Sequence, residues 1–256
     1  MIKLLSTDFD GTLVEHDTQP AVAPALFTML RELQQQGVLW AVNTGRMLWH
    51  LDDGLKQYGF PVLPDFALVE ERDVYHRGAS GAWEPLGDWN ERCTRDHDEL
   101  FHLAGPLLAE VLAFMERLPG SNPIHDKGRF VGAVTADEEQ MDRLCAFLTK
   151  LTARLPVFSH QRNTIYVRFC HHGYSKGTAL AELARVVGVP HAQVMAAGDN
   201  HNDLAMLDGR FAKYVTCPGN SCEEVKLAVH TVGGFVAKGH ASFGLLEAMR
   251  HFGIWG

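Results

Sequence analysis

Four short segments hold residue types that can do chemistry, and each falls just after an apolar run or at the head of a helical stripe. The first is Asp8-Phe9-Asp10-Gly11-Thr12. Two carboxylates two residues apart at a strand end put one side chain into the crevice beyond the strand and let the other fold back beside it. Gly11 allows the tight turn after them. A bare pair of this kind is better explained as a solvated acidic turn; the added Gly and Thr set this one apart. The second segment is Asn43-Thr44-Gly45-Arg46. A hydroxyl beside a glycine at a strand end can donate, with backbone N–H groups, to a phosphate oxygen, although Thr44 alone would serve as a plain helix cap. The third is Lys176, at the head of a helical pattern, where the positive end of the helix dipole opposes a cation. The fourth is Gly198-Asp199-Asn200-His201-Asn202-Asp203. There an apolar strand ends in one acid and a second follows four residues later on the same helical face, a donor set suited to a hard cation.

Together these residues suit phosphoryl transfer. Mg²⁺ takes one or two carboxylates, here Asp8 and Asp199, and leaves room for water and a phosphate oxygen. Lys176 and Thr44 then neutralise and orient the phosphoryl oxygens, where most of the catalytic effect in such transfers lies.

The segments must be brought together by the elements around them. Residues 2–7 and 38–42 are apolar runs that read as buried parallel strands. Between them Leu26, Met29, Leu30 and Leu33 recur at helical spacing, with Gly37 as the stop. A third strand is expected at 66–70. The pattern resumes with a helical stripe through Leu180, Leu183, Ala184 and Val187, then apolar strands at 193–197, 212–216 and 229–232. Such alternation predicts an α/β fold with a doubly wound, Rossmann-like parallel sheet. The middle of the chain differs. Helical stripes through Leu107–Met115 and Met141–Leu151 and strand-like runs at 129–135, 155–159 and 164–169 form a second, smaller α/β unit inserted into the first. The expected division is a catalytic core of 1–79 and 172–256 and an inserted cap of 80–171, in a loop at the carboxyl ends of the strands, where ligands bind.

Composition narrows the class. Of 256 residues, 46% are hydrophobic and 21% charged, which is the balance of a globular chain with a core to bury. No run reaches the length of a membrane helix, and the N-terminus turns acidic too early for a signal peptide, so a cytoplasmic protein is expected. The net charge of −8 argues against nucleic-acid or anionic-membrane partners. Five scattered cysteines without a CxxC pair are expected to be reduced thiols. The fourteen histidines never fall in a recognised metal spacing, so no histidine metal site is expected.

The order Asp8-x-Asp10-Gly11-Thr12, Thr44-Gly45-Arg46, Lys176 and Gly198-Asp199-x-x-Asn202-Asp203 resembles the haloacid dehalogenase superfamily. The late lysine, the Asn202-Asp203 pair and the large insertion resemble its Cof-like phosphatases, over essentially the whole chain. The resemblance implies Asp8 as the nucleophile that becomes an aspartyl phosphate, and Asp10 as general acid for the leaving alcohol and then base for water. It implies Mg²⁺ held by Asp8, Asp199 and the backbone carbonyl of Asp10, with Asp203 ligating directly or through water. Thr44, Gly45 and Lys176 would bind the phosphoryl group with support from Asn202, and Arg46 would touch the substrate. Position 43 departs from the family, being Asn where small residues are common, and the stretch 83–102 matches no family pattern. The expected function is a Mg²⁺-dependent phosphatase for a small phosphorylated metabolite, a sugar phosphate, working as a monomer or small homo-oligomer. A phosphomutase would need a second cationic site in the insertion, for which Arg129, Arg162 and Arg168 are candidates. A phospho-receiver module would have half this length, no insertion and no use for Asp10.

Overall fold

The fold is that of a computed structural model, which describes residues 1–256. The first part of the chain alternates β1 (Leu4–Thr7), α1 (Pro24–Gln35), β2 (Leu39–Asn43), α2 (Leu48–Gln57) and β3 (Phe66–Val69), then adds a hairpin, β4 (Asp73–Arg77) and β5 (Trp83–Pro85). The middle comprises α3 (Trp89–Leu103), α4 (Gly105–Met115), β6 (Asn122–Asp126), β7 (Arg129–Val134), α5 (Glu138–Thr152), β8 (Phe158–Asn163) and β9 (Tyr166–His171). The last part returns to alternation with α6 (Lys176–Val186), β10 (Val194–Ala197), α7 (Leu204–Leu207), β11 (Tyr214–Cys217), α8 (Glu223–Thr231), β12 (Phe235–Val236) and α9 (Ala241–His251). Two compact units result: Met1–Asn90 with Lys176–Gly256, and Glu91–Ser175.

The first unit is built on an eight-stranded sheet in the order β12-β11-β10-β1-β2-β3-β4-β5, parallel from β12 to β3 and antiparallel beyond. β1, β3 and β10 are buried at every residue, as strands covered by helices on both faces must be. Helix α1 begins with a proline, which loses no hydrogen bond there, and buries Leu26, Met29, Leu30 and Leu33 against the sheet. The chain starts at β1 in mid-sheet, builds outward through β2 and β3, and later returns to the other flank of β1 with β10. The direction of building reverses at β1, and the carboxyl ends of β10, β1 and β2 there form the crevice in which such sheets take their ligands.

The second unit is a four-stranded antiparallel sheet, β6-β7-β9-β8, with its own core. That core includes Leu100, Val111, Met115, Phe130, Leu144, Leu148, Phe158 and Phe169. No helix of the molecule is long and apolar enough to cross a membrane.

Two expectations need correction. Residues 229–232 are not a strand: they close helix α8, and the pairing strand is β12 a few residues later. Val225 and Val229, four apart and fully buried, are one face of that helix, and a short β-branched run cannot be told from a strand by composition alone. The insertion also starts later than residue 80. β5 pairs with β4, and Asn90 accepts from the Val74 N–H and donates to its carbonyl at 2.8 and 3.1 Å, so this stretch is tied to the core. At its other end the second unit runs to Ser175, four residues past the expected limit.

Candidate active site

Asp8, Thr44 and Asp199 are each delivered just past the end of a strand. Asp8 follows β1, its backbone N–H donating to the Ala197 carbonyl of β10 at 2.9 Å. Thr44 follows β2, with its N–H on the Leu68 carbonyl at 2.8 Å. Gly198 and Asp199 follow β10. Lys176 opens α6 and is wholly buried. Its Nζ lies 3.0 Å from Asp8 Oδ1 and donates to Asp203 Oδ1 at 2.6 Å. The unfavourable place of a lysine at a helix start is thereby offset by two carboxylates. The other Asp203 oxygen accepts from the backbone N–H groups of Asp199 and Asn200 at 2.8 and 3.0 Å, which fixes the loop that carries Asp199. Thr12 donates to Asp199 Oδ1 at 2.7 Å.

Two glycines are demanded by this closeness. Gly11 has φ +74°, and a Cβ there would stand 2.3 Å from Asp199 Oδ2; one on Gly198 would stand 2.4 Å from Asp203 Cγ.

Carboxylate oxygens of Asp8, Asp199 and Asp203 lie within 4.8 Å of one another. Burial, and then the charge of Asp203, push the Asp8 carboxyl well above its usual range against the pull of Lys176. The same two causes push Asp199 up to about 7, although the Thr12 hydrogen bond opposes them. Burial would lower the Lys176 ammonium, but Asp203 and Asp8 hold it well above its ordinary value. Three buried carboxylates around one ammonium carry excess negative charge, and a divalent cation with oxygen ligands fits that deficit. A cation bound there would polarise a phosphoryl oxygen and screen its charge.

Asp10 stands apart from this cluster. Arg46 grips both of its oxygens, Nη2 to Oδ1 at 2.6 Å and Nε to Oδ2 at 2.7 Å, while stacking over the Phe9 ring. Burial would raise the Asp10 carboxyl, but Arg46 and then His16 outweigh it and hold it below its usual range. Arg46, expected to touch substrate, is thus engaged with Asp10. Asn202, expected at the phosphate, donates from Nδ2 to Glu71 Oε1 at 2.8 Å. Its buried Oδ1 makes no hydrogen bond. The Thr44 hydroxyl accepts from the Arg46 N–H at 3.2 Å, and Gly45 lies against Glu71.

Three participants escaped the sequence reading. Glu71 is buried just past β3, at φ 65°, with its N–H on the Thr44 carbonyl, and its charge adds to the field on Lys176. An acid at the end of an apolar strand was the signal that marked Asp8 and Asp199, and it was present here too. Asn43, the family departure, donates to the Lys176 carbonyl at 2.9 Å and so pins the start of α6. His16 meets Asp10 from the following loop. Beside the carboxylate cluster, where the Cys222 N–H donates to the Asp199 carbonyl at 3.1 Å, His201, Cys222 and Glu224 also bring donor atoms within 4.8 Å, a grouping that separated positions in sequence did not reveal.

Comparison with known proteins agrees with this architecture. The family model of haloacid dehalogenase-like hydrolases matches residues 120–241. The phosphoglycolate phosphatase of Methanoculleus marisnigri is 30% identical over 213 residues, covering 81% of each chain. A 5-amino-6-(5-phospho-D-ribitylamino)uracil phosphatase of Bacillus subtilis is 23% identical over 262 residues, covering 98% of this chain and 96% of that one. Among solved structures, the sucrose-phosphatase of Synechocystis, determined with sucrose and phosphate, superposes with a TM-score of 0.72 over 99% of both chains at 19% identity. The chain belongs to the haloacid dehalogenase-like hydrolases. Within that class it is a phosphatase, a hydrolase of phosphoric monoesters.

Proposed function

We propose that the protein hydrolyses a small phosphorylated metabolite, a sugar phosphate, with Mg²⁺ at Asp8, Asp199 and Asp203 and an aspartyl phosphate on Asp8. The observation that carries the reading is the buried Lys176 ammonium bridging Asp8 and Asp203 beside Asp199. In this reading an Asp8 oxygen attacks phosphorus and the ester P–O bond breaks, its electrons leaving with the alcohol oxygen, which takes a proton from Asp10. Water then attacks the phosphorus of the aspartyl phosphate, Asp10 takes the proton, and the Asp8 carboxylate leaves inorganic phosphate behind. Lys176 and the Thr44 segment hold the phosphoryl oxygens. The paired Asp10–Arg46 arrangement is the base form. The acid half needs a carboxyl proton, so the Arg46 grip opens for that step.

Two observations favour hydrolysis over a mutase. Arg129 is paired with Asp98, and Arg162 with Asp142 and Glu138, so two of the three candidates for a second phosphate site, Arg168 being the third, are held by carboxylates. The sugar-phosphate assignment follows the size of the insertion and the likeness to sucrose-phosphatase. It is tested by assaying a panel of phosphorylated sugars, polyols and acids with Mg²⁺ and again after EDTA. Sugar phosphates should release inorganic phosphate fastest, and chelation should abolish the release. Full activity in EDTA would contradict the metal assignment, and a preference for phosphorylated acids such as phosphoglycolate would contradict the substrate class.

A further inference from the structure

Arg46 is not the only side chain on Asp10. His16 sets Nε2 2.6 Å from Asp10 Oδ1 and Nδ1 2.5 Å from the Tyr58 hydroxyl. A carboxylate oxygen only accepts, so Nε2 carries the hydrogen donated to Asp10, and Nδ1 is engaged by the phenol. Gln57 Nε2 donates to the same hydroxyl at 3.4 Å. The three groups come from the turn after β1, the loop before α1 and the C-terminal end of α2. The side chains of His16 and Asp10 are 43% and 40% exposed, so water also reaches this contact.

The two donors on Asp10 divide its oxygens unequally. Arg46 holds both, whereas His16 holds Oδ1 alone. Once Arg46 lets go, the His16 contact to Oδ1 remains and Oδ2 is the oxygen left without a donor. We propose that His16, oriented by Tyr58, is a positioning residue that decides which Asp10 oxygen meets the leaving group. The inference rests on the reading of Asp10 as acid and base.

The test is kcat/KM along a series of aryl phosphates, from p-nitrophenyl phosphate to phenyl phosphate, with Mg²⁺ present. A phenolate that needs protonation feels a misplaced acid far more than p-nitrophenolate does. His16→Ala should lower kcat/KM for phenyl phosphate by about 10- to 100-fold, within the range general acids contribute, and for p-nitrophenyl phosphate by less than about threefold. His16→Gln, whose amide can donate to Oδ1, should restore most of the loss. Tyr58→Phe keeps the ring beside Phe9 and removes only the hydroxyl. It should show a smaller loss of the same pattern, and none when added to His16→Ala, because both act through one contact. Equal losses along the series, or additive losses in the double variant, would overturn the proposal. Asp10→Asn separates its failure from that of the parent reading. If Asp10→Asn steepens the leaving-group dependence and the His16 variants do not, the positioning role alone falls. If Asp10→Asn leaves the dependence unchanged, both fall together.

Discussion

At the scale of single residues, the site is a buried excess of negative charge, and its consequence is measurable without turnover. With no cation bound, burial and the charge of Asp203 push the Asp199 carboxyl up to about 7. A carboxyl whose folded value is raised contributes stability that is full below its unfolded value near 4 and is lost as pH climbs through 7. Metal-free protein should therefore melt at progressively lower temperature between about pH 4 and pH 7, and Asp199→Asn should lessen this dependence, the raised Asp8 carboxyl keeping the rest. At pH 8 the variant should melt higher than the metal-free wild type by a few degrees, the worth of about 1–3 kcal/mol for a chain of this size. Mg²⁺ should raise the melting temperature of the wild type and leave that of the variant nearly unchanged. A variant that melts lower than the wild type at pH 8, or responds equally to Mg²⁺, would contradict the account. Asp8, Lys176, Asp199 and Asp203 were legible in the sequence because their types make little sense apart. Glu71 carried the same signal of an acid after an apolar strand and was passed over, whereas Asn43 and His16 were not legible, because the Lys176 carbonyl and the Asp10–Tyr58 pair that engage them are brought near only by the fold.

At the scale of elements, the strands deliver the chemistry and the turns after them set its spacing. β1 and β10 end side by side in register, Thr7 opposite Ala197, so Asp8 and Asp199 emerge together. Gly11 is the turn on which that approach depends. Gly11→Ala would place a non-glycine residue at φ +74° and a methyl carbon 2.3 Å from Asp199 Oδ2. The backbone strain alone costs about 1–2 kcal/mol. The displaced carboxylate should in addition raise the Mg²⁺ concentration needed for half-maximal activity by about tenfold, each factor of ten corresponding to about 1.4 kcal/mol of binding. A Mg²⁺ titration of the variant checks this, and an unchanged requirement would show that the turn does not govern the metal position. The parallel strands were readable as continuous apolar runs bounded by glycine or acids. The β4–β5 hairpin was not, because its residues are half-exposed and mixed in character. The α8 segment misled for the opposite reason: its valines serve a helix face but have the composition of a strand.

At the scale of the whole molecule, the chain divides its work between a parallel-sheet unit that carries every proposed catalytic side chain and an inserted antiparallel unit with an independent core. The division was legible from the change of pattern in mid-chain. Its edges were not, since Asn90 and β5 belong to the core through hydrogen bonds to β4, which no periodicity announces. The central claim, on which the metal, the lysine and the acid–base pair all converge, is that the phosphoryl group passes through Asp8. The direct test is peptide mass spectrometry on Asp10→Asn protein, acid-quenched within a single turnover with Mg²⁺ and p-nitrophenyl phosphate, whose leaving group needs no acid, so that loss of the base lets the intermediate accumulate. The account predicts one phosphoryl adduct, on the peptide containing Asp8 and at that residue, absent when Asp8→Asn is added. Turnover with no adduct at any quench time, or an adduct on another side chain, would contradict it.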